Sequence, residues 1–293
     1  MTVQSAPRWR ELFVPAALKF SLQKYQRQYP QSAGMFGLAA AIGEQQAGLA
    51  ERLEAAQASE EEMPHPAGPN LDWLVEAIGT IAAATAGAAA GSGPALASLA
   101  QASGSLTAEA IVAAAGGDAD SLERLAASAG LAPEVAFFVL HAALQPWLAW
   151  RHGARSMSIA DQPFPARGTC PACGGNPLMG KHVDPDGHRF LRCADCGNEW
   201  AYPRIGCPGC GETNAAKIET YFVPEDEGHR IYLCTNCQQY IKISDERLLG
   251  GRVYLPLEDI VTLHLDELGA QRGFTSVSQG DSARLGQGGA MSH

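Results

Sequence analysis

An all-helical N-terminal domain, two small β lobes that each close around a metal ion, and a final helix: this is the α + small β class that the chain predicts. Three observations carry it. All eight cysteines fall between Cys170 and Cys237, grouped as four Cys-x-x-Cys pairs. Before about residue 160, apolar residues recur at helical spacing and alternating β patterns are nearly absent. After the cysteines, Leu257, Val261, Leu265 and Leu268 share one helical stripe.

Residues 1–160 form the expected helical domain. Leu12 to Tyr29 has helical spacing and is bounded by Pro30. Met35, Phe36, Leu38, Ile42, Leu49 and Leu53 make a second apolar face. Glu60 to Asn70, with three acidic residues in a row and three prolines, reads as a solvated linker. Leu71 to Ala90 reads as a helix. Thr107 can cap a short helix that stops at Gly116-Gly117, and Asp120 with Glu123 has the spacing of a capping box, with Gly130 as the C′ glycine. Pro133 opens a long helix through Trp150, with a kink expected at Pro146.

Asp161 to Arg167, with two prolines, is the expected hinge. The first metal lobe takes residues 161–206 and the second 207–250. A closing helix falls within 251–273, and its acidic Glu258, Asp259, Asp266 and Glu267 are expected to face away from the stripe. The Gly/Ser/Gln-rich residues 274–293 read as a flexible tail.

The cysteine segment repeats itself. Cys170-Pro-Ala-Cys-Gly174 is echoed by Cys207-Pro-Gly-Cys-Gly211, and the stretch from His188 to Cys196 by that from His229 to Cys237. Each repeat runs knuckle, strand, turn, strand, knuckle, the layout of a rubredoxin lobe or zinc ribbon. A tetrahedral all-sulfur site takes four thiolates, and each knuckle supplies two. The repeat pairs Cys170, Cys173, Cys193 and Cys196 in one site and Cys207, Cys210, Cys234 and Cys237 in the other; a cross-braced exchange of knuckles is the alternative. Neither lobe has enough apolar residues to close by burial alone, so metal would hold each fold. A site filled by four sulfurs leaves no position for water or substrate, which argues against an enzyme. Tetrahedral S₄ suits iron and zinc alike.

Composition excludes other classes. With 46% hydrophobic residues the chain can bury a true core. The formal charge is −10, and Arg167 to Ile243 carries eight Lys/Arg against nine Asp/Glu, whereas nucleic-acid binders carry a basic excess. The uncharged stretch Ala77 to Ala108 is mostly Ala, Gly, Ser and Thr, which fits a packed helix pair better than a membrane span. Met1 to Arg10 lacks an apolar export signal, so cytoplasm and reduced thiols are expected. Gly175 to His182 approximates a phosphate loop but ends in His where Ser or Thr should hold magnesium. His188 and His229 suit hydrogen-bonding or surface roles rather than ligation, and His264 suits packing on the helical stripe. Trp200 could pack a lobe or meet a partner.

Several motifs together resemble the formate dehydrogenase accessory (FdhE-type) family. They are Cys-Pro-x-Cys-Gly at 170–174, Leu191-x-Cys-x-x-Cys-x-x-Glu-Trp200, Arg204-x-x-Cys-x-x-Cys210 and Cys234-x-x-Cys-x-x-Tyr240-Ile-Lys242. Weaker echoes are Ala143-Leu-Gln145 and Glu258-Asp-Ile-x-x-Leu-x-Leu-Asp266. The likeness spans roughly residues 10–273 and departs at the low-complexity tail. It implies a cytoplasmic maturation factor whose partner is the catalytic subunit of formate dehydrogenase. It also implies rubredoxin-like lobes, and so iron rather than zinc in the two Cys₄ sites. A rubredoxin-like electron carrier acting on the same subunit is the alternative function, with a zinc-ribbon nucleic-acid module behind it.

Overall fold

A computed structural model of the chain describes residues 12–13, 15–58, 69–88, 93–157, 168–183 and 185–279. The expected linker and hinge lie almost wholly outside these residues. Backbone contacts divide the chain into a helical unit within 8–152 and a second unit that takes up the chain from Gly153.

The helical unit contains α1 (Pro15–Gln28), α2 (Ala33–Ala58), α3 (Leu71–Ala88), α4 (Gly93–Ser103), α5 (Ala108–Ala115), α6 (Ala119–Ala129) and α7 (Pro133–Met157). Its ends follow local chemistry. Asn70 Oδ1 accepts from the Asp72 amide at 2.7 Å and starts α3. Thr107 caps α5 as expected, accepting from the Ala110 amide at 3.3 Å. The α6 cap is Asp118, which accepts from the Ser121 amide at 3.0 Å; the expected box at Asp120 lies two residues too late. Gly130 ends α6 with φ 67°.

The long helices bury one face each. Leu49, Leu53, Leu74, Ile78, Ile81, Leu96, Leu99, Ile111, Leu125, Leu140 and Trp147 form the core. Each large aliphatic side chain so buried contributes about 1.5–3 kcal/mol. The uncharged stretch is the packed α3–α4 pair, in which Gly79 faces Ala100. Gln46 on α2 donates to the Ala142 carbonyl at 2.9 Å and to Gln145 Oε1 at 3.1 Å, so Gln145 helps tie α2 to α7. No single helix among the described residues is long and apolar enough to cross a membrane; α6 and α7 meet at a 103° bend.

The second unit holds β1 (Pro177–Val183), β2 (His188–Cys193), β3 (Glu199–Tyr202), β4 (Ile218–Val223), β5 (Asp226–Cys234), β6 (Gln239–Asp245), α8 (Leu255–Val261), α9 (Leu263–Gln271) and β7 (Thr275–Ser276). Each repeat is a three-stranded antiparallel meander. The two are fused into one sheet of order β3-β2-β1-β6-β5-β4, with β7 beside β6. The seam is parallel: Gly180, Lys181 and His182 on β1 face Ile243, Ser244 and Asp245 on β6. Gly180 is needed there, because a Cβ would stand 2.7 Å from Ile243 Cδ1 and 2.8 Å from the Phe190 carbonyl oxygen. The resemblance to a phosphate loop dissolves, since Pro177 to His182 is strand.

The closing segment differs from the single helix expected. It breaks at Thr262, whose hydroxyl donates to the Glu258 carbonyl at 2.7 Å, and continues as α9. Glu258 is fully buried rather than turned to solvent, accepting from Ser244 Oγ at 3.0 Å and lying 2.6 Å from His229 Nε2. Asp226 flanks the other ring nitrogen at 2.7 Å, so His229 is clamped between two carboxylates. His188, its counterpart in the first repeat, is exposed, as is His264, which faces away from the apolar stripe. Lys242, on β6, reaches Asp259 at 2.7 Å and Asp266 at 2.6 Å, and Tyr240 Oη donates to Asp266 at 2.9 Å. Phe274 to Gln279, expected in the tail, is folded: β7 pairs with β6 and Val277 is buried. Residues 280–293 lie outside the described ones.

His182 sits in this sheet with neither ring nitrogen hydrogen-bonded among the described residues. Burial, with Arg189, Arg204 and Arg247 nearby, pulls its pKa down to about 4 against the opposing pull of Asp245. That carboxylate is engaged by Arg247, whose Nε donates to it at 2.8 Å.

Two outcomes follow from the seam. Gly180→Ala is expected to lower unfolding free energy by about 1–3 kcal/mol through overpacking, read by urea titration of the metal-loaded protein. The unfolded chain takes up a proton at His182 below about pH 6.5 that the folded chain refuses until about pH 4. Stability from this group is therefore complete above the first value and lost on descending to the second, on the order of 3 kcal/mol in all. Urea unfolding between these pH values is expected to show a shallower acid loss in His182→Gln than in the parent.

Candidate metal centres

Each centre is assembled by two turns that the backbone fixes in the same way. In the first knuckles, the Gly174 amide donates to the Cys170 carbonyl and the Gly211 amide to the Cys207 carbonyl, both at 2.8 Å. The return bonds run from the Cys170 amide to the Gly175 carbonyl at 2.7 Å and from the Cys207 amide to the Glu212 carbonyl at 2.8 Å. The second knuckles are tied to the residue before the first strand of their repeat. Ala194 donates to the Asn176 carbonyl at 2.9 Å, and Thr235 to the Lys217 carbonyl at 3.0 Å.

Leaving each knuckle, the chain turns left-handed. Gly174 (φ 83°), Gly197 (φ 68°) and Gly211 (φ 77°) do so without steric cost, whereas the fourth such position holds Gln238 (φ 57°). Its side-chain amide donates to the Thr235 carbonyl at 2.9 Å, closing the turn a second time.

These turns bring the cysteines together in chain order, not cross-braced. Cys170, Cys173, Cys193 and Cys196 form one cluster and Cys207, Cys210, Cys234 and Cys237 the other, with all sulfurs of a cluster within 4.8 Å of one another. Across the first cluster the Cys170–Cys196 and Cys173–Cys193 sulfurs are 3.7 and 3.4 Å apart. Across the second the Cys207–Cys237 and Cys210–Cys234 sulfurs are 3.5 and 3.8 Å apart. A disulfide would need about 2.05 Å. A tetrahedron with metal–sulfur bonds of about 2.3 Å has edges of about 3.8 Å. The donor set thus fits a soft, four-coordinate ion at both places.

Polar groups around the sulfurs suit thiolates. The Gly175 amide donates to Cys173 Sγ at 3.4 Å. Asn198 Nδ2 stands 3.8 Å from Cys170 Sγ and Asn236 Nδ2 3.6 Å from Cys210 Sγ. Such donors stabilise ligand charge and orient it. The glycines after the first knuckles are visible in the repeated motif, whereas nothing in the spacing marks Asn198 and Asn236 as neighbours of sulfur. Trp200 is buried and packs within the unit rather than serving as an exposed contact.

Ionisation in each cluster is unequal. Cys170 is pushed far below the ordinary thiol range because Cys173, and then Cys193 and Cys196, donate to it. Cys193 and Cys196 are pushed up by the reverse of those same bonds and by burial. In the second cluster Cys207 falls to about 5, chiefly through Cys237. Cys234 rises to about 11 through burial, and Cys237 rises through its bond to Cys207. In each cluster one thiolate is solvated by its neighbours, and Cys193 and Cys196, or Cys234 and Cys237, resist ionising beside it. A cation at the centre is what allows all four to carry charge.

Residues 169–204 match the family model described as FdhE, central domain. The protein FdhE homolog of Aquifex aeolicus is 34% identical over 113 residues, which cover 38% of this chain and 40% of that protein. The homolog from Stutzerimonas stutzeri is 31% identical over 147 residues, covering 46% and 44%. The chain thus spans less than half the length of these curated relatives. The crystal structure of the FdhE protein from Pseudomonas aeruginosa superposes with a TM-score of 0.61 at 24% identity, covering 92% of this chain and 95% of that one. The likeness first read from the cysteine motifs is therefore present in motif, in sequence and in fold.

Removing metal provides the direct check. Chelation at neutral pH is expected to release about two ions per chain, to expose eight titratable thiols and to melt the sheet signal in circular dichroism. Metal released without loss of sheet structure would count against a structural role.

Proposed function

We propose that the chain is a non-catalytic accessory factor that acts in the cytoplasm on the catalytic subunit of formate dehydrogenase during its assembly into active enzyme. Similarity to FdhE proteins supports the client. The observation that carries the non-catalytic part is the closure of both clusters by four sulfurs each. With those corners filled, an ion has no position left for substrate, so its work is to hold a surface in shape. All eight cysteines serve as ligands in this reading, and iron is the ion favoured over zinc at both places. The helical domain, 1–160, and the outer faces of the lobes are the surfaces offered to the client.

A second reading, electron transfer to the same client, draws on one feature. In each cluster one ligand, Cys173 or Cys210, is only half-buried, which would shorten the path of an electron to a docked partner. It requires iron, since zinc carries no redox change. A thiolate-to-ferric absorption that bleaches reversibly on reduction is its mark, and colourless zinc protein ends it.

The accessory reading is tested by co-purification. The parent chain is expected to retain the dehydrogenase subunit, and paired substitution of Cys207 and Cys210 by Ser to lose at least tenfold of that retention together with the metal. Retention by a chain with all eight cysteines replaced would overturn it.

A further inference from the structure

Arg189, on β2 in the first repeat, reaches the backbone just before Cys207 of the second repeat and has no anionic partner among the described residues. Its side chain is among the most completely buried in the protein. Nη1 donates to the Gly206 carbonyl at 2.9 Å, while Nε and Nη2 have no hydrogen-bond acceptor among the described residues. The guanidinium is held between the rings of Tyr202 and Tyr232, 5.6 Å from each. Burial draws its pKa down only to about 10, so it remains charged at neutral pH. A buried guanidinium facing no carboxylate is unfavourable unless some other negative charge lies close.

The nearest candidate is the second sulfur cluster. Gly206, whose carbonyl holds Arg189, directly precedes Cys207, the first ligand of that cluster. Tyr202, also of the first repeat, donates its hydroxyl to the Cys207 carbonyl at 3.1 Å. Two side chains of one repeat are thus anchored to the backbone at the first ligand of the other. A divalent ion held by four thiolates carries two net negative charges.

The duplication supplies an internal comparison. Arg230 occupies the position of Arg189 in the second repeat, where no third repeat follows. It is half-buried, lies over Phe222 at 5.5 Å and donates from Nε to the Glu227 carbonyl at 3.2 Å. Arg192, next to Cys193 of the first cluster, is paired with Glu199 at 3.6 Å. Among the described residues, then, only the second cluster faces a buried cation that no carboxylate neutralises.

We infer that Arg189 is the countercharge of the second metal centre, a positioning residue lent by the first repeat, so that the affinity of one centre is set partly by the other's lobe. The inference rests on the proposed reading that the second cluster holds a metal ion. Loss of a group in this role costs metal affinity about 10–100-fold.

The test uses the full chain loaded with zinc and titrated with a chelator. Cysteines freed at each step are alkylated and located by mass spectrometry. In Arg189→Met and Arg189→Gln, Cys207, Cys210, Cys234 and Cys237 are expected to become reactive at about 10–100-fold lower chelator concentration than in the parent. The first set should be unmoved, and Arg189→Lys should recover most of the loss. Gln keeps a donor for Gly206, so it decides the matter if the Met variant does not fold. Equal shifts of both sets, no shift in either neutral variant, or a Lys variant as weak as Met would overturn the inference while leaving metal binding intact. A parent chain that binds no zinc would instead overturn the metal reading, and this inference with it.

Discussion

Four sulfurs held within 4.8 Å of one another repel as thiolates unless a cation joins them, and that constraint organises the whole sheet unit. The backbone spends its bonds on making the knuckles rigid: amide to carbonyl across each turn, and from each second knuckle back to the residue before the first strand. Burial then raises the cost of leaving the sulfur charge uncompensated. The fused sheet does bury an apolar cluster of its own around Ile231, Leu233, Tyr240 and Leu265, so the sulfur centres fix the knuckles at its ends rather than standing in for a core.

Around the two clusters the repeat is conserved in backbone but not in side chains. Histidines five residues before Cys193 and Cys234 have separate fates: His188 is exposed, and His229 is fixed by Asp226 and Glu258. The difference has a source in topology. α8 packs across the seam on β1 and β6 and α9 packs on β5, and they bring to the second repeat's histidine carboxylates that a sheet alone does not provide. Tyr240 and Lys242 on β6 meet Asp259 and Asp266 from those helices. Two motifs that look separate in the chain, at 240–242 and 258–266, are thereby one network of ion pairs and hydrogen bonds.

Much of the fold was legible in the residues. The helices announced themselves by periodicity and by caps at Thr107 and Gly130, and the sulfur quartets by repetition of Cys-x-x-Cys. Failures cluster where tertiary context overrides local pattern. Asp118 took the cap from Asp120 because the chain enters α6 two residues earlier than the capping box implied. Glu258 seemed to belong to a solvated face because helical spacing knows nothing of a buried imidazole on another strand. The parallel seam between β1 and β6 was invisible for a similar reason. Nothing local in Gly180 or Ile243 marks them as partners sixty-odd residues apart, and the tandem motifs alone suggest two independent lobes. Gln238 illustrates the remaining gap, since a left-handed turn there is supported by a side-chain bond rather than by glycine.

The seam has a practical corollary for anyone who would dissect this molecule. A cut between Tyr202 and Cys207, natural from the motif spacing, would strip β6 of its β1 partner along Ile243 to Asp245 and leave that edge of the strand bare, with only the β5 side still paired. It would also remove Tyr202 from the Cys207 carbonyl. The halves of the duplication read as modules on paper, but the hydrogen-bond ladder makes them one indivisible fragment.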